Sequence, residues 1–300
     1  LQLRKRGLFL TNNDNCDISL TAGQGNPELS LRRTAMHAFK SCFSGSKLLA
    51  SAAQLLMGGN TENRSLILNA EPWIKELGLA DQQLAQLAEF MRLLMDHNRR
   101  VNLTAIREPE AIARLHFADS LAAAHLLPWL PVCRKGADIG SGAGFPVVPL
   151  AIYFPRCEWF AIDSVAKKAD FIREAAQVLG LKNLEVVTCR AEHFARTEHR
   201  GSFDVVTARA VGPFISLCEV GLPLLREGGR LVLFKTEASQ SEVERAYQAL
   251  GELGGTLEAS LHYRLTGDRQ DRVLYVVQRS GPVSEKFPRD HAKPFKQPLA

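Results

Sequence analysis

The chain has 300 residues, 46% of them apolar, with 37 Lys and Arg against 32 Asp and Glu. That suits one large domain or two small ones with a sizeable core, and no apolar run is long enough to cross a bilayer, Leu48 to Met57 being the nearest. Its six cysteines form no C-x-x-C pair and no histidines cluster with them, which argues against a zinc site and for reduced thiols in a cytosolic protein.

Residues 1–60 lack steady apolar periodicity and hold Asn12, Asn13, Asn15, Gly23 and Gly25 in loose polar sequence. A poorly structured extension is expected there. Either the true start is downstream, at Met57 or Met36, or the segment is a targeting peptide. Leu29 to Leu56 carries five serines and only basic charges, as an organellar presequence does. Residues 1–57 hold seven basic and three acidic side chains, and residues 279–300 hold five and two. The body between is nearly neutral, so the basic ends point to a polyanionic partner or to solvated tails.

A helical unit is expected over 61–134. Asp81 can cap a helix whose Leu84, Leu87, Phe90, Met91, Leu94 and Met95 form one apolar face. Asn98 to Asn102 breaks that pattern. Pro109 and Glu110 open a second helix with Ile112, Leu115, Phe117 and Leu121.

Residues 135–279 alternate strand and helix, the pattern of a doubly wound, mainly parallel sheet. Gly136 to Pro146 reads as strand end, glycine loop and helix start. Its glycines at 140, 142 and 144 miss the dinucleotide fingerprint, whose third glycine would fall at Phe145. An acidic residue ahead of G-x-G-x-G is instead the look of an S-adenosylmethionine loop, here Gly140, Ser141, Gly142, Gly144 and Phe145. Glycines let a cofactor lie against bare backbone, and the helix N-terminus offers N–H groups to a carboxylate. A tight turn after a buried strand gives the same letters.

Glu158 to Ile162 reads as a second strand. Asp163 stands at its end, 23 residues after Gly140, where a carboxylate can accept from a ribose. Its alternative role is a helix cap, for which Ser164 is also suited. Leu184 to Thr188 ends at Cys189-Arg190-Ala191-Glu192, where a cofactor base could lie. Phe203 to Ala208 precedes Arg209, and Arg230 to Phe234 precedes Lys235. Helices are expected over Ser164–Leu179, Phe214–Leu225 and Ser241–Leu250. Ser260–Leu265 and Val273–Gln278 read as a closing antiparallel pair. Residues 280–300 hold four prolines and no apolar face, an extended basic tail. Its Arg289, Lys293 and Lys296 are candidates for contacts to the phosphates of a polyanionic partner, which the resemblance described next implies is RNA.

These residues together resemble the small-subunit ribosomal RNA guanine-N7 methyltransferases, the glucose-inhibited division protein B family, over roughly 68–300. The likeness rests on Asn98 with Asn102-Leu103-Thr104, His116-x-x-Asp119-Ser120-Leu121, and Asp138 through Pro146. It continues in Asp163-Ser164 with Lys167-Lys168, Arg190-Ala191-Glu192, Arg209-Ala210, Lys235, Phe287-Pro288-Arg289, Lys296 and Pro298-Leu299. Departures are Val147 and Thr236 where the family usually has glycine, His97 where it often has tryptophan, and Asp290-His291 within a basic cluster. They bear on RNA affinity and substrate-side geometry.

The resemblance implies a class I S-adenosylmethionine-dependent methyltransferase fold. It implies cofactor contacts at Gly140, Phe145, Ala191, Glu192 and Arg209. It also implies small-subunit ribosomal RNA, or the particle that holds it, as partner. A soluble monomer is expected, cytoplasmic unless the leading segment is a presequence. Guanine N7 carries an exposed lone pair and loses no proton, so no general base is assigned. Arg209 and Lys235 are read as positioning groups. His116, Asp119 and Ser120 invite a hydrolase reading, but no nucleophile elbow surrounds the serine, and packing of the helices against the sheet explains them better. A methyltransferase on another substrate, a cofactor-binding module without catalysis, and a nicotinamide enzyme stay open.

Overall fold

Seven strands form one sheet at the centre of the described residues, 61–236 and 240–299 of a computed structural model, which all fall in a unit spanning Gln54–Ala300. The leading segment 1–60, with Met36, Met57 and the presequence reading, lies outside the described residues. The strands are β1 (Lys135–Ile139), β2 (Glu158–Asp163), β3 (Leu184–Thr188), β4 (Phe203–Arg209), β5 (Leu225–Thr236), β6 (Gly255–Tyr263) and β7 (Arg272–Arg279). Their spatial order is β3-β2-β1-β4-β5-β7-β6. β3, β2, β1, β4 and β5 pair in parallel, and β7 runs antiparallel to both β5 and β6. This is the class I methyltransferase arrangement.

The central strands are apolar on both faces, as buried parallel strands must be. Alternate residues of β2 feed different cores. Trp159 and Ala161 join a cluster with Phe90, Phe117, Leu121, Val148 and Phe171. Phe160 and Ile162 join one with Phe203, Phe214, Leu217, Leu250 and Tyr275. β6 alternates buried or half-buried with exposed positions, the mark of an edge strand. It begins at Gly255, earlier than the sequence suggests.

The helices of the first core are α1 (Thr61–Asn69), α2 (Asp81–Asn98), α3 (Pro109–Ile112) and α4 (Asp119–Leu126). A π-helical turn, Ala113–Ala118, joins α3 to α4. Such turns often mark functional positions, and this one carries His116. α5 (Val147–Tyr153) and α6 (Ala166–Leu179) cover the same sheet face, so the leading helices share their core with β2 and β5. α7 (Ala191–Phe194) follows β3, and α8 (Phe214–Gly221) follows β4. The expected helix over 241–250 is two short ones, α9 (Gln240–Arg245) and α10 (Tyr247–Glu252).

The extended tail is corrected. Val283, Phe287 and Pro288 are buried, and the segment closes in α11 (Lys293–Lys296). The spacing of Val283 and Phe287 gives the segment an apolar side that prolines mask in the sequence. Arg200 Nη1 donates to Phe287 O at 2.8 Å, and Arg196 Nη2 to Pro288 O at 2.6 Å. Among the described residues, no helix is long and apolar enough to cross a membrane.

Candidate active site

Three glycines shape the loop after β1, with φ of +68° at Gly140, +56° at Gly142 and +92° at Gly144. L-residues rarely adopt such angles. A Cβ on Gly140 would stand 2.7 Å from Val211 Cγ2, and one on Gly144 would stand 2.8 Å from Val148 Cγ2. At Gly142 nothing lies nearer than 3.8 Å, so this glycine leaves open space. Gly140 and Ser141 N–H groups both donate to Ile162 O, tying the loop to β2. The expected free N–H groups are partly used. Gly144 and Phe145 donate back to Ser141 O at 2.7 and 3.2 Å.

Both carboxylate oxygens of Asp163 accept backbone N–H groups. Its Oδ1 accepts from Val165 N and its Oδ2 from Gly142 N, both at 2.8 Å. It therefore caps the start of α6 and pins the glycine loop, while still lining a cavity. Ser164 is not the cap; Val165 occupies that position without a side-chain bond.

Two cavities open at the C-terminal edge of the sheet and share Gly140, Lys168 and Ala210. The smaller, about 420 Å³, is lined by Asp163, Ala191, Glu192 and Phe295 among others. The larger, about 510 Å³, has Thr104, His116, Ser141, Phe145, Arg209 and Lys235 in its wall. Phe295 belongs to the segment read as a remote tail. A Cβ on Gly212 would come within 2.9 Å of its ring, and Ala292 N donates to Glu192 Oε1 at 3.1 Å. The C-terminal segment thus shares a cavity with Gly140, Asp163 and Glu192 and does not stand apart from them.

Arg289 is not free for phosphate. Its backbone N–H, Nε and Nη2 all donate to the Glu219 carboxylate at 2.7–2.9 Å, and Glu219 is 0% exposed. Lys293 and Lys296 are exposed.

Arg209 sits in a network the sequence brings from far away. Its Nη1 donates to Leu115 O at 3.0 Å and to Asp119 Oδ2 at 2.8 Å; its Nη2 reaches His116 Nδ1 at 3.0 Å. Three of its five donors are committed, and the guanidinium lies 5.3 Å from the Phe145 ring centre. Asp119 also accepts from Tyr263 Oη at 2.7 Å and Arg272 Nη1 at 3.1 Å. The His116 ring stacks on Phe145 at 4.8 Å. Burial first, and Arg209 next, push the His116 pKa down to about 3. Ser120 turns away and donates to His116 O at 2.6 Å, which leaves no nucleophile–base pair. Lys235 Nζ donates to Gly212 O at 2.7 Å and pairs with Glu242 at 3.3 Å.

In the sequence Asp138 is only a letter of the loop motif. It is fully buried, and its Oδ1 accepts from Thr207 Oγ1 at 2.7 Å. Its Oδ2 has no partner among the described residues. Burial raises its pKa to about 7 against the Thr207 bond. Open space at Gly142, with the carboxylates of Asp163 and Glu192 in the wall of the smaller cavity, fits a cationic cofactor with a ribose such as S-adenosylmethionine. Lys168, at the meeting of both cavities, and Phe295 also carried no assigned role; only the Lys167-Lys168 pair signalled the first. Of the departures, Thr236 lines the larger cavity and Val147 is buried at the start of α5. His97 is a clasp instead, its Nε2 3.1 Å from Glu174 on α6.

The GidB family model, described as rRNA small subunit methyltransferase G, matches residues 83–267. The ribosomal RNA small subunit methyltransferase G of Staphylococcus carnosus is 36% identical over 229 residues, 75% of this chain and 94% of its own. That of Deinococcus radiodurans is 41% identical over 219 residues, 71% of this chain and 85% of its own. That of Desulfitobacterium hafniense is 36% identical over 247 residues, 82% of this chain and 98% of its own.

Proposed function

Because this chain belongs to the GidB family, the ribosomal RNA small subunit methyltransferase G proteins, we propose that it methylates N7 of a guanine. Its activity is S-adenosylmethionine-dependent methylation of small-subunit ribosomal RNA; the base and the atom are our reading. One observation carries that choice: among the described residues, the larger cavity offers neither an imidazole nor a carboxylate free to act as a general base. His116 Nδ1 already accepts from Arg209, and its Nε2 contacts Thr104 Oγ1 at 2.7 Å. Asp119 is held by Arg209, Arg272 and Tyr263. An amino or hydroxyl nucleophile would need a group to take its proton. Guanine N7 presents a lone pair and loses no proton.

S-adenosylmethionine held there would supply an electrophilic methyl on its sulfonium, with S-adenosylhomocysteine as the leaving group and the positive charge passing to the purine. The protein's task is alignment, which is worth about 7–11 kcal/mol in well-oriented reactions. In this reading Gly140, Ser141, Gly142, Gly144 and Phe145 hold the cofactor against bare backbone, and Asp163 accepts from its ribose. Ala191 and Glu192 face its base. Arg209 steadies the loop through Phe145, and Lys235 positions the substrate side. Lys293 and Lys296 meet phosphates of the RNA, free or within the ribosomal particle. The protein acts as a cytoplasmic monomer.

Mass mapping of modified nucleosides in small-subunit RNA, from cells with and without this protein, tests the reading. One 7-methylguanosine should vanish with the protein. A missing methyl on another base or another atom would overturn it.

A further inference from the structure

A threonine hydroxyl is ordinarily ambivalent, with one hydrogen to give and two lone pairs to receive. Thr104 has lost that freedom. Arg209 Nη2 lies 3.0 Å from His116 Nδ1. A guanidinium only donates, so Nδ1 is the acceptor and the imidazole hydrogen sits on Nε2. Nε2 is 2.7 Å from Thr104 Oγ1 and fills one lone pair there. The Ile106 N–H fills the other at 3.1 Å. The hydroxyl hydrogen is left with no acceptor among the described residues, and Thr104 lines the larger cavity.

The backbone around this hydroxyl is fixed as well. Asn98 Oδ1 accepts from Leu103 N and Thr104 N at 2.9 and 3.0 Å, and Asn98 Nδ2 donates to Thr104 O at 2.9 Å. The His116 ring that sets its polarity is stacked on Phe145 of the glycine loop. A donor of fixed direction is therefore coupled to the loop beside which the methyl group must lie.

We propose that Thr104 reads the target base: its hydroxyl donates to O6 of guanine and turns N7, the neighbouring acceptor on the same edge, toward the methyl donor. The proposal rests on the guanine-N7 reading above. Adenine presents an amino group where guanine presents O6. Thr104 has no lone pair left to accept from it, so two donors would face each other unpaired. Sites built to pair with one substrate group reject the analogue that lacks it far more strongly than apolar pockets reject a methylene. Arg209, His116 and Asn98 are positioning residues in this scheme, and N7 stays free for attack.

The test uses small-subunit particles assembled with guanine or 2-aminopurine at the methylated position. 2-Aminopurine keeps N7 and lacks O6. Rates are corrected for the reactivity of each base toward a simple methylating agent in the absence of protein. The native enzyme should lose about 10–100-fold in kcat/KM on 2-aminopurine, the scale of one well-made base contact. Thr104→Val should lose as much on guanine and little more on 2-aminopurine, the non-additivity of two partners in one contact. Thr104→Ser should restore most of the rate and the preference for guanine. Affinity for S-adenosylhomocysteine should hold in all variants. Equal corrected rates of the native enzyme on both bases would overturn the proposal without any variant. So would additive losses in Thr104→Val. If the mapped methyl lies elsewhere than guanine N7, the functional reading itself falls, and that outcome is seen before these particles are made.

Discussion

The glycine loop and the C-terminal segment line the same cavity, yet they are built in opposite ways. The loop is tied by partners near it in the chain: Ser141 O receives Gly144 and Phe145, and Asp163 reaches back to Gly142. The C-terminal segment is tied by distant ones. Arg289 grips Glu219 on α8, Ala292 grips Glu192, and Arg200 and Arg196 hold the carbonyls of Phe287 and Pro288. Local ties leave a spacing in the sequence. Distant ties leave only residue types, and an arginine in a basic run looks the same whether it meets solvent, phosphate or a buried carboxylate.

The sharpest way to break this contrast is Arg289→Ala. It removes the guanidinium from a carboxylate that is 0% exposed and leaves it, among the described residues, only the backbone N–H of residue 289, and breaking such a pair costs about 3–5 kcal/mol. The denaturation midpoint should fall accordingly, with weaker S-adenosylhomocysteine binding as Phe295 leaves the cavity wall. Unchanged stability and affinity would mean the segment is loosely attached after all.

The His116 network gives the next effect. Its pKa is about 3 in the folded chain against an ordinary 6.5. As pH falls below 6.5, the unfolded chain takes the proton first, so stability is lost between about pH 6.5 and 3. The limiting slope is about 1.4 kcal/mol per pH unit. Urea midpoints across that range should show this limb, and His116→Gln should flatten it. Identical limbs would contradict a neutral ring.

Asp163→Ala tests the local side. Loss of a charged acceptor should weaken S-adenosylhomocysteine by about 1–3 kcal/mol in calorimetry, because both a ribose partner and the Gly142 tether go. Full affinity would reduce Asp163 to a helix cap.

The smallest effect is expected from Lys293→Ala with Lys296→Ala. Both side chains are exposed, so stability should hold. The log–log salt slope of RNA binding should flatten by about 1–2 units. No change in slope would assign both lysines to solvent.

Legibility followed the same division. The parallel sheet, its closing hairpin and the C-terminal edge of its strands were readable, because strand period and turn residues are local. Gly140, Asp163, Ala191 and Glu192 fell on one edge for that reason. The role of Glu219 was not readable, since it is one acid inside the apolar run of α8, and its partner stands 70 residues on. The meeting of His116 and Asp119 with Arg209 was hidden likewise, across 93 and 90 residues. Asp138 was visible as a motif letter, but its unpaired oxygen depends on what the fold packs around it.

Phe295 gives the smaller cavity a consequence in time as well as space. Synthesis delivers the glycine loop, the acidic strand end and Arg209 long before the residue that walls the smaller cavity. A nascent chain that has emerged only through β7 carries every loop glycine, yet that cavity stands open on the side where Phe295 will close it. The wall that Phe295 provides is therefore added only after every strand of the sheet has been made. A truncated product ending before α11 would be made with its motif intact and its pocket unfinished.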